Sequence, residues 1–232
     1  MSVIAALRRL LGNASGVAMT EFALGAPVLM LAGVYGVEQA NFVLVNMKIG
    51  QLAVHIADNA SRIGDTSQLK NRKIYESDIN DVIIGAQIQA GKAVNVYKHG
   101  RVFISSLEVD TASGNQYIHW QRCRGAKAVN SNYGDEGDGK AGTLAGMGPA
   151  GAEITAEPGD AVIFVEISYT YQPLITGSIV ANKEIRSIAA FNVRDSRDLT
   201  QIYQRDALKP DPVQACGAHK GEVILDAGGA MN

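Results

Sequence analysis

Gly16-Val17-Ala18-Met19-Thr20-Glu21-Phe22 opens an apolar run that continues to Val37, with Glu21 as its only formal charge and Pro27 as its only proline. About 20 such residues suffice to span the hydrocarbon layer of a bilayer, so the run predicts a single membrane-spanning helix. Pro27 withdraws one backbone donor, a loss that membrane helices tolerate better than soluble ones. Upstream, residues 1–16 carry Arg8 and Arg9 and no acid. By the positive-inside rule this short N-terminus stays in the cytoplasm and the bulk of the chain lies outside it.

An ionised Glu21 among lipid tails costs roughly 2.5 to 3.5 kcal/mol on insertion scales, and intramembrane acids are usually paired. Cleavage after Gly16 would create a partner, the α-amino group of Val17, with an unperturbed pKa of about 8. Four residues apart on one helix, the amine and Glu21 share a face, and a staggered neighbouring helix could offer the same pairing. The competing reading is an uncleaved signal anchor whose Glu21 snorkels to the interface. A cleavable secretory signal fits less well, because no small-residue cleavage site follows a short apolar core.

Past the apolar run, Glu38, Gln39 and Asn41 mark the exit from lipid. The helix then continues, since Val45, Ile49, Leu52, Ile56, Ala60 and Ile63 recur at spacings of four and three before Gly64, a helix stop. From Thr20 to Ile63 such a helix is roughly 66 Å long, more than a bilayer needs. Its outer stripe reads as intramolecular core or as a seam for a partner helix. A second helix is signalled by Ser77 as N-cap, Ile79, Val82, Ile83 and Ala86 on one side, and Gly91 beyond its end. Strands are expected at 101–110 and 116–122, joined by a turn as a hairpin, then at 161–171 and 185–194. In the third, Ile163, Val165, Ile167, Tyr169 and Tyr171 alternate onto one face. Helices followed by closely spaced strands predict an α+β fold, with an antiparallel sheet of about four strands on a helical spine.

The N-terminal residues Gly16, Glu21-Phe22-Ala23-Leu24 and Pro27 resemble the prepilin-type N-terminus of TadE-like proteins, the minor pilins or pseudopilins of the tight-adherence (Flp, type IVc) pilus. The resemblance continues in Ile104-Ser105-Ser106, in Trp120-Gln121-Arg122 and in Ile167-Ser168-Tyr169-Thr170-Tyr171-Gln172-Pro173-Leu174. It implies a leader over residues 1–16, cut by a prepilin peptidase between Gly16 and Val17 on the cytoplasmic face. It further implies a transmembrane and extended helix over 17–63 and a periplasmic α+β domain over 64–232. Glu21, with Phe22 and Pro27, maps to the assembly segment. The implied partners are other pilins of the tight-adherence system, the prepilin peptidase and the inner membrane, with incorporation into an extracellular pilus and no cofactor. One departure is that Leu10 to Ser15 separates Arg8 and Arg9 from Gly16, where many prepilins keep basic residues close to the cut. Ala23, Gly25, Ala26, Ala32, Gly33 and Gly36 are small enough for close helix packing.

The remaining features bound the alternatives. With 232 residues, 47% of them hydrophobic, the chain is long enough for an anchor plus one domain with a core. A net charge of −2 and no basic stripe argue against a nucleic-acid partner. Cys123 and Cys216 are compatible with a disulfide in an extracytoplasmic compartment, or with two free thiols. The loop 125–151 is expected on the surface, and its acidic cluster Asp135-Glu136-Gly137-Asp138-Gly139 lacks the EF-hand closing glutamate, so no metal site is expected. His55, His99, His119 and His219 form no H-E-x-x-H pair, and neither a G-x-S-x-G elbow nor a phosphate loop is present. No catalytic residue is therefore nominated. Trp120, Tyr169 and Tyr171 read as sheet core, with a glycan- or protein-binding face as the alternative. The function expected is pilus assembly. The alternative is an uncleaved, singly anchored periplasmic binding or sensor domain.

Overall fold

The computed structural model describes residues 4, 15–65, 71–175, 182–194 and 196–225. Most of residues 1–16, expected as a leader and including Arg8, Arg9 and Leu10 to Asn13, lies outside the described residues. The chain divides into two compact units, Met1–Val43 with Pro173–Ala181 and Leu44–Gln172 with Asn182–Asn232. Its architecture is α+β: a long N-terminal apolar helix, shorter helices, and a four-stranded antiparallel sheet.

Helix α1 (Ser15–Arg62) belongs to both units. Within the first unit it is mostly apolar and mostly exposed up to Val37. Glu38 is the exception, 1% exposed, with its carboxylate accepting the backbone N–H of Ile175 at 3.0 Å. A residue expected to mark the lipid exit thus holds a neighbouring chain segment. Within the second unit α1 is amphipathic. Ile49, Leu52, Ala53, Ile56, Ala57 and Ala60 are at most 2% exposed and follow helical periodicity. Its last carbonyls, at Ala60 and Ile63, accept from the guanidinium of Arg197 at 3.3 and 2.8 Å. That satisfies groups which would otherwise be orphaned where the helix stops before Gly64, whose φ is +133°.

Helix α2 (Glu76–Val94) begins two residues earlier than the sequence suggests. Tyr75, not Ser77, is the N-cap, and the carboxylate of Asp78 accepts the Tyr75 N–H at 3.1 Å. The start is set from a distance: Glu76 N–H donates to Tyr203 O, and the Arg205 guanidinium binds Ser77 Oγ and Asp78. Gly91, at φ +69°, interrupts the helix inside its span, and Asn95, at φ 46°, closes it by donating its N–H to Gly91 O. A short helix α3 (Val96–His99) leads into the sheet.

Strands β1 (Gly100–Val109), β2 (Gln116–Arg124), β3 (Ala161–Thr170) and β4 (Glu184–Asn192) are ordered β2-β1-β3-β4, with every pair antiparallel. A bulge at Ser106/Leu107 shifts the β1–β2 register. One sheet face meets the helices: Tyr169 Oη donates to Val94 O at 2.8 Å, Arg122 reaches Glu76, and Ser187 lies beside Gly50 of α1. The other face carries Leu107, Ile118, Val162 and Phe164, covered by Met147 and Ala156 with Tyr133, Leu144 and Ile154 around them.

That second cover adds to what the sequence predicts. The stretch 125–151 is mostly exposed or half-buried, as expected of a surface loop, and it also supplies part of the core, Met147 being 0% exposed. Consequently β3 is buried on both faces, and Val162 and Phe164 are as enclosed as Ile163 and Val165. Gly139 shows why this stretch is rich in glycine. Its φ is +95°, and a Cβ there would stand 2.2 Å from Gln116 O.

Candidate functional site

Gly16, Val17, Glu21, Phe22 and Pro27 all lie on α1 and all are exposed. Val17 is 56% and Phe22 70% exposed, and Leu24, Val28, Leu29, Met30 and Leu31 fall between 65% and 77%. The Gly16–Val17 bond falls inside the helix as described, and Thr20 Oγ1 donates to Val17 O at 2.8 Å. The Glu21 side chain makes no hydrogen bond or ion pair with another described residue, so among the described residues nothing compensates the carboxylate that the sequence places in an apolar helix. By length and composition, α1 is able to cross a membrane, and none of its most apolar stretch is buried. At Gly25, Gly33 and Gly36 an added Cβ would meet nothing within 4 Å, so those backbones are open to close approach by another helix. A contiguous apolar surface this large on one helix requires lipid or protein around it.

Of the motifs that carry the downstream resemblance, Ile104 to Ser106, Trp120 to Arg122 and Ile167 to Tyr169 are interior residues of the sheet, whereas Leu174, beyond β3, is 65% exposed. Arg122 holds Glu76 through Nε at 3.1 and 3.2 Å and Nη2 at 2.6 Å, in a pair whose side chains are 11% and 5% exposed. Its Nη1 adds Glu136 at 3.1 Å. Gln121 Nε2 donates to Ser105 Oγ and Gly134 O. Ser168 Oγ donates to Glu184, which also takes Lys127 Nζ at 2.8 Å. These donors hold the Glu184 carboxyl far down, at about 2, with the Lys127 hydrogen bond the largest cause. On β3, Glu166 behaves oppositely: burial pushes its pKa up, against the lowering effect of Ser131, the Asn132 N–H and Arg186. Trp120, Tyr169 and Tyr171 are at most 5% exposed, which places them in the core and not on a binding face.

Cys123 and Cys216 are joined in a disulfide, with their Cα atoms 4.8 Å apart. The bond fixes a C-terminal strap against β2, an edge strand of the sheet. Cys123 N–H donates to Gln214 O and Gly125 N–H to Lys220 O, both at 2.8 Å. The Arg124 guanidinium gathers Gly221 O, Gln214 Oε1 and Glu222 O. The strap thereby covers backbone donors that an open edge would present to another chain.

The side chains expected to carry chemistry are dispersed. Ser106, Glu108 and His119 do meet, with Ser106 Oγ donating to Glu108 at 2.6 Å and His119 Nδ1 at 2.8 Å from the same carboxylate. The serine proton is thus spent on the acid, and the imidazole does not receive it as it would from an activated nucleophile. Among the described residues no group of three or more His, Cys, Asp or Glu could hold a metal ion. The acidic cluster is occupied: Glu136 binds Arg122 and the Gln121 N–H, and Asp138 accepts the Asp135 N–H. The buried pairs Glu76–Arg122 and Ser131–Glu166 were invisible in the sequence, since each joins segments tens of residues apart. Compared with known protein families, with curated proteins and with solved structures, the chain finds no match.

Proposed function

We propose that this chain is a TadE-like minor pilin or pseudopilin of a tight-adherence pilus, acting in assembly through its N-terminal helix. The observation that carries the reading is the exposed apolar stretch of α1, with an uncompensated Glu21 near its start and a folded α+β domain encoded after it. A prepilin peptidase cuts between Gly16 and Val17. The new amine of Val17 and the Glu21 carboxylate then neutralise each other, within one chain or between staggered neighbours. The chain sits in the inner membrane with its bulk in the periplasm, where the Cys123–Cys216 bond is stable. Gly25, Gly33 and Gly36 let other pilins pack closely against it. Its work is packing and register, and it needs no cofactor.

The test is intact mass and N-terminal sequence of the protein from membranes, with the prepilin peptidase present and then deleted. A mature chain beginning at Val17 only when the peptidase is present is the expected result. A chain that keeps residues 1–16 in both strains overturns the proposal. A second readout is the co-purification of partner pilins with Glu21→Ala, which is expected to fall.

A further inference from the structure

Pro173, Leu174 and Ile175 follow β3 and belong to the same compact unit as the apolar stretch of α1. Glu38 ties them to that helix. Its carboxylate, on a side chain that is 1% exposed, accepts the Ile175 N–H at 3.0 Å from 137 residues away. A buried polar group is costly to leave without its partner, so the tie fixes the segment at the level of Glu38. Leu174 is nonetheless 65% exposed, between a half-buried Pro173 and a half-buried Ile175.

The height of Glu38 along α1 follows from helix geometry. The apolar run from Val17 to Val37 is about 30 Å long at 1.5 Å per residue, the thickness of a hydrocarbon layer. Glu38 is the next residue, so it stands where the helix leaves the lipid. Tyr35, on the same face one turn earlier, is 50% exposed and brings the amphipathic ring that favours this boundary. An isolated exposed leucine is ordinary: Leu208, 92% exposed, lies close to Asp206 and next to Lys209. Leu174 differs in both height and setting. Its level is set by Glu38, and no formal charge occurs in the sequence between Glu166 and Lys183, so no ion has to leave water for Leu174 to enter lipid.

We infer that Leu174 inserts into the interfacial layer of the leaflet on the domain side, held at that depth by the Glu38–Ile175 hydrogen bond, as a second point of membrane contact beside α1. The partner is the acyl-chain boundary of a lipid surface, which an exposed apolar side chain at this level meets directly. A lone helix is free to turn about its own axis in a bilayer, and a second contact off that axis restrains the turn. The inference rests on the reading of α1 as a membrane span, and it goes beyond that reading in assigning the segment after β3 to the membrane.

The experiment places a nitroxide at one position at a time on the full chain in phosphatidylethanolamine–phosphatidylglycerol nanodiscs, through Leu174→Cys, Leu29→Cys or Met47→Cys. The native cysteines are bonded to each other, so the introduced thiol takes the label. Leu29 and Met47 lie about 14 Å to either side of Glu38 along α1 and calibrate depth. Collision of the label with oxygen, which concentrates in lipid, is compared with collision with a water-soluble nickel chelate. The oxygen-to-nickel ratio at Leu174 is expected several-fold above that at Met47 and below that at Leu29. Glu38→Ala, which removes the acceptor, should bring the Leu174 ratio down to that of Met47, while Glu38→Gln, whose amide oxygen still accepts the N–H, should keep it. With Leu29 in lipid, a Leu174 ratio equal to that at Met47 overturns the inference and leaves the span standing. Exclusion of both oxygen and nickel at Leu174 would mean a protein cover and overturns it equally. A Leu29 label in water overturns the span and the inference with it, and a Leu174 ratio unmoved by Glu38→Ala overturns the role given to Glu38.

Discussion

The two halves of α1 are built from similar residues and end in opposite environments. From Val17 to Val37 apolar residues occupy every side of the helix and nearly all are exposed, whereas from Ile49 to Ala60 a stripe of them lies along one side and is buried. Leu29 is 75% exposed and Ile56 is 2% exposed. The difference lies in periodicity, not hydrophobicity. A helix apolar all round matches a surrounding solvent that is itself apolar, while a striped helix matches one sheet face and water. The same backbone hydrogen bonds are thus stabilised by two unrelated means. Folding of the domain should depend on one half and placement in a bilayer on the other.

The largest separation of the halves is expected from removing the strap's covalent bond. Cys123→Ser with Cys216→Ser opens a loop of 93 residues and should cost about 4.6 kcal/mol in the chain-entropy account. Urea unfolding of the full chain in detergent, followed by tryptophan fluorescence at the buried Trp120, measures it. Helix content from the apolar half should persist through that transition. Next, Ile56→Ala should cost about 3 kcal/mol by the same assay, and Leu29→Ala should stay within about 0.5 kcal/mol of the parent. A comparable loss at Leu29 would mean that the apolar half is held by the domain. Charge inverts the ranking: Leu29→Lys should oppose membrane insertion by about 2.5 kcal/mol in a translocation assay. Val54→Lys, on the 46% exposed side of the striped half, should change neither insertion nor stability appreciably.

The smallest effect is a pH dependence confined to the domain. Glu184 titrates at about 2 in the folded chain, below its ordinary 4.5. Its contribution is therefore complete above about 4.5 and lost as pH falls towards 2. Glu166 has the opposite sign, since its folded pKa is raised: the folded state holds that proton longer, and stability declines as pH rises through the interval above 4.5. Glu184→Gln should flatten the acid limb of a stability–pH curve, while Glu166→Gln should flatten the limb above it.

Periodicity made much of this fold legible. The stripe from Ile49 to Ala60 and the alternation from Ile163 to Tyr171 are local patterns, and the strands begin within a residue of where they were expected. What stayed hidden was set by contacts between distant segments. The start of α2 is fixed by Tyr203 and Arg205, so the strong local N-cap candidate Ser77 lost. Burial of β3 on both faces depends on Met147 and Ala156, which sit among glycines in a stretch without strand or helix periodicity. For the candidate site, the isolation of Glu21 was legible because an acid in an apolar run is conspicuous by itself. The tie between Glu38 and Ile175 was not, because 137 residues separate the two.

The strap also imposes an order in time. At a synthesis rate of about 5 to 20 residues per second, the 93 residues from Arg124 to Cys216 take on the order of 5 to 20 s to appear. Through that interval the N–H groups of Cys123 on β2 and of Gly125 just past it lack the acceptors that later cover them. The nascent domain therefore passes through a period in which its sheet has an uncovered edge, and any chaperone that guards it is needed before Cys216 arrives.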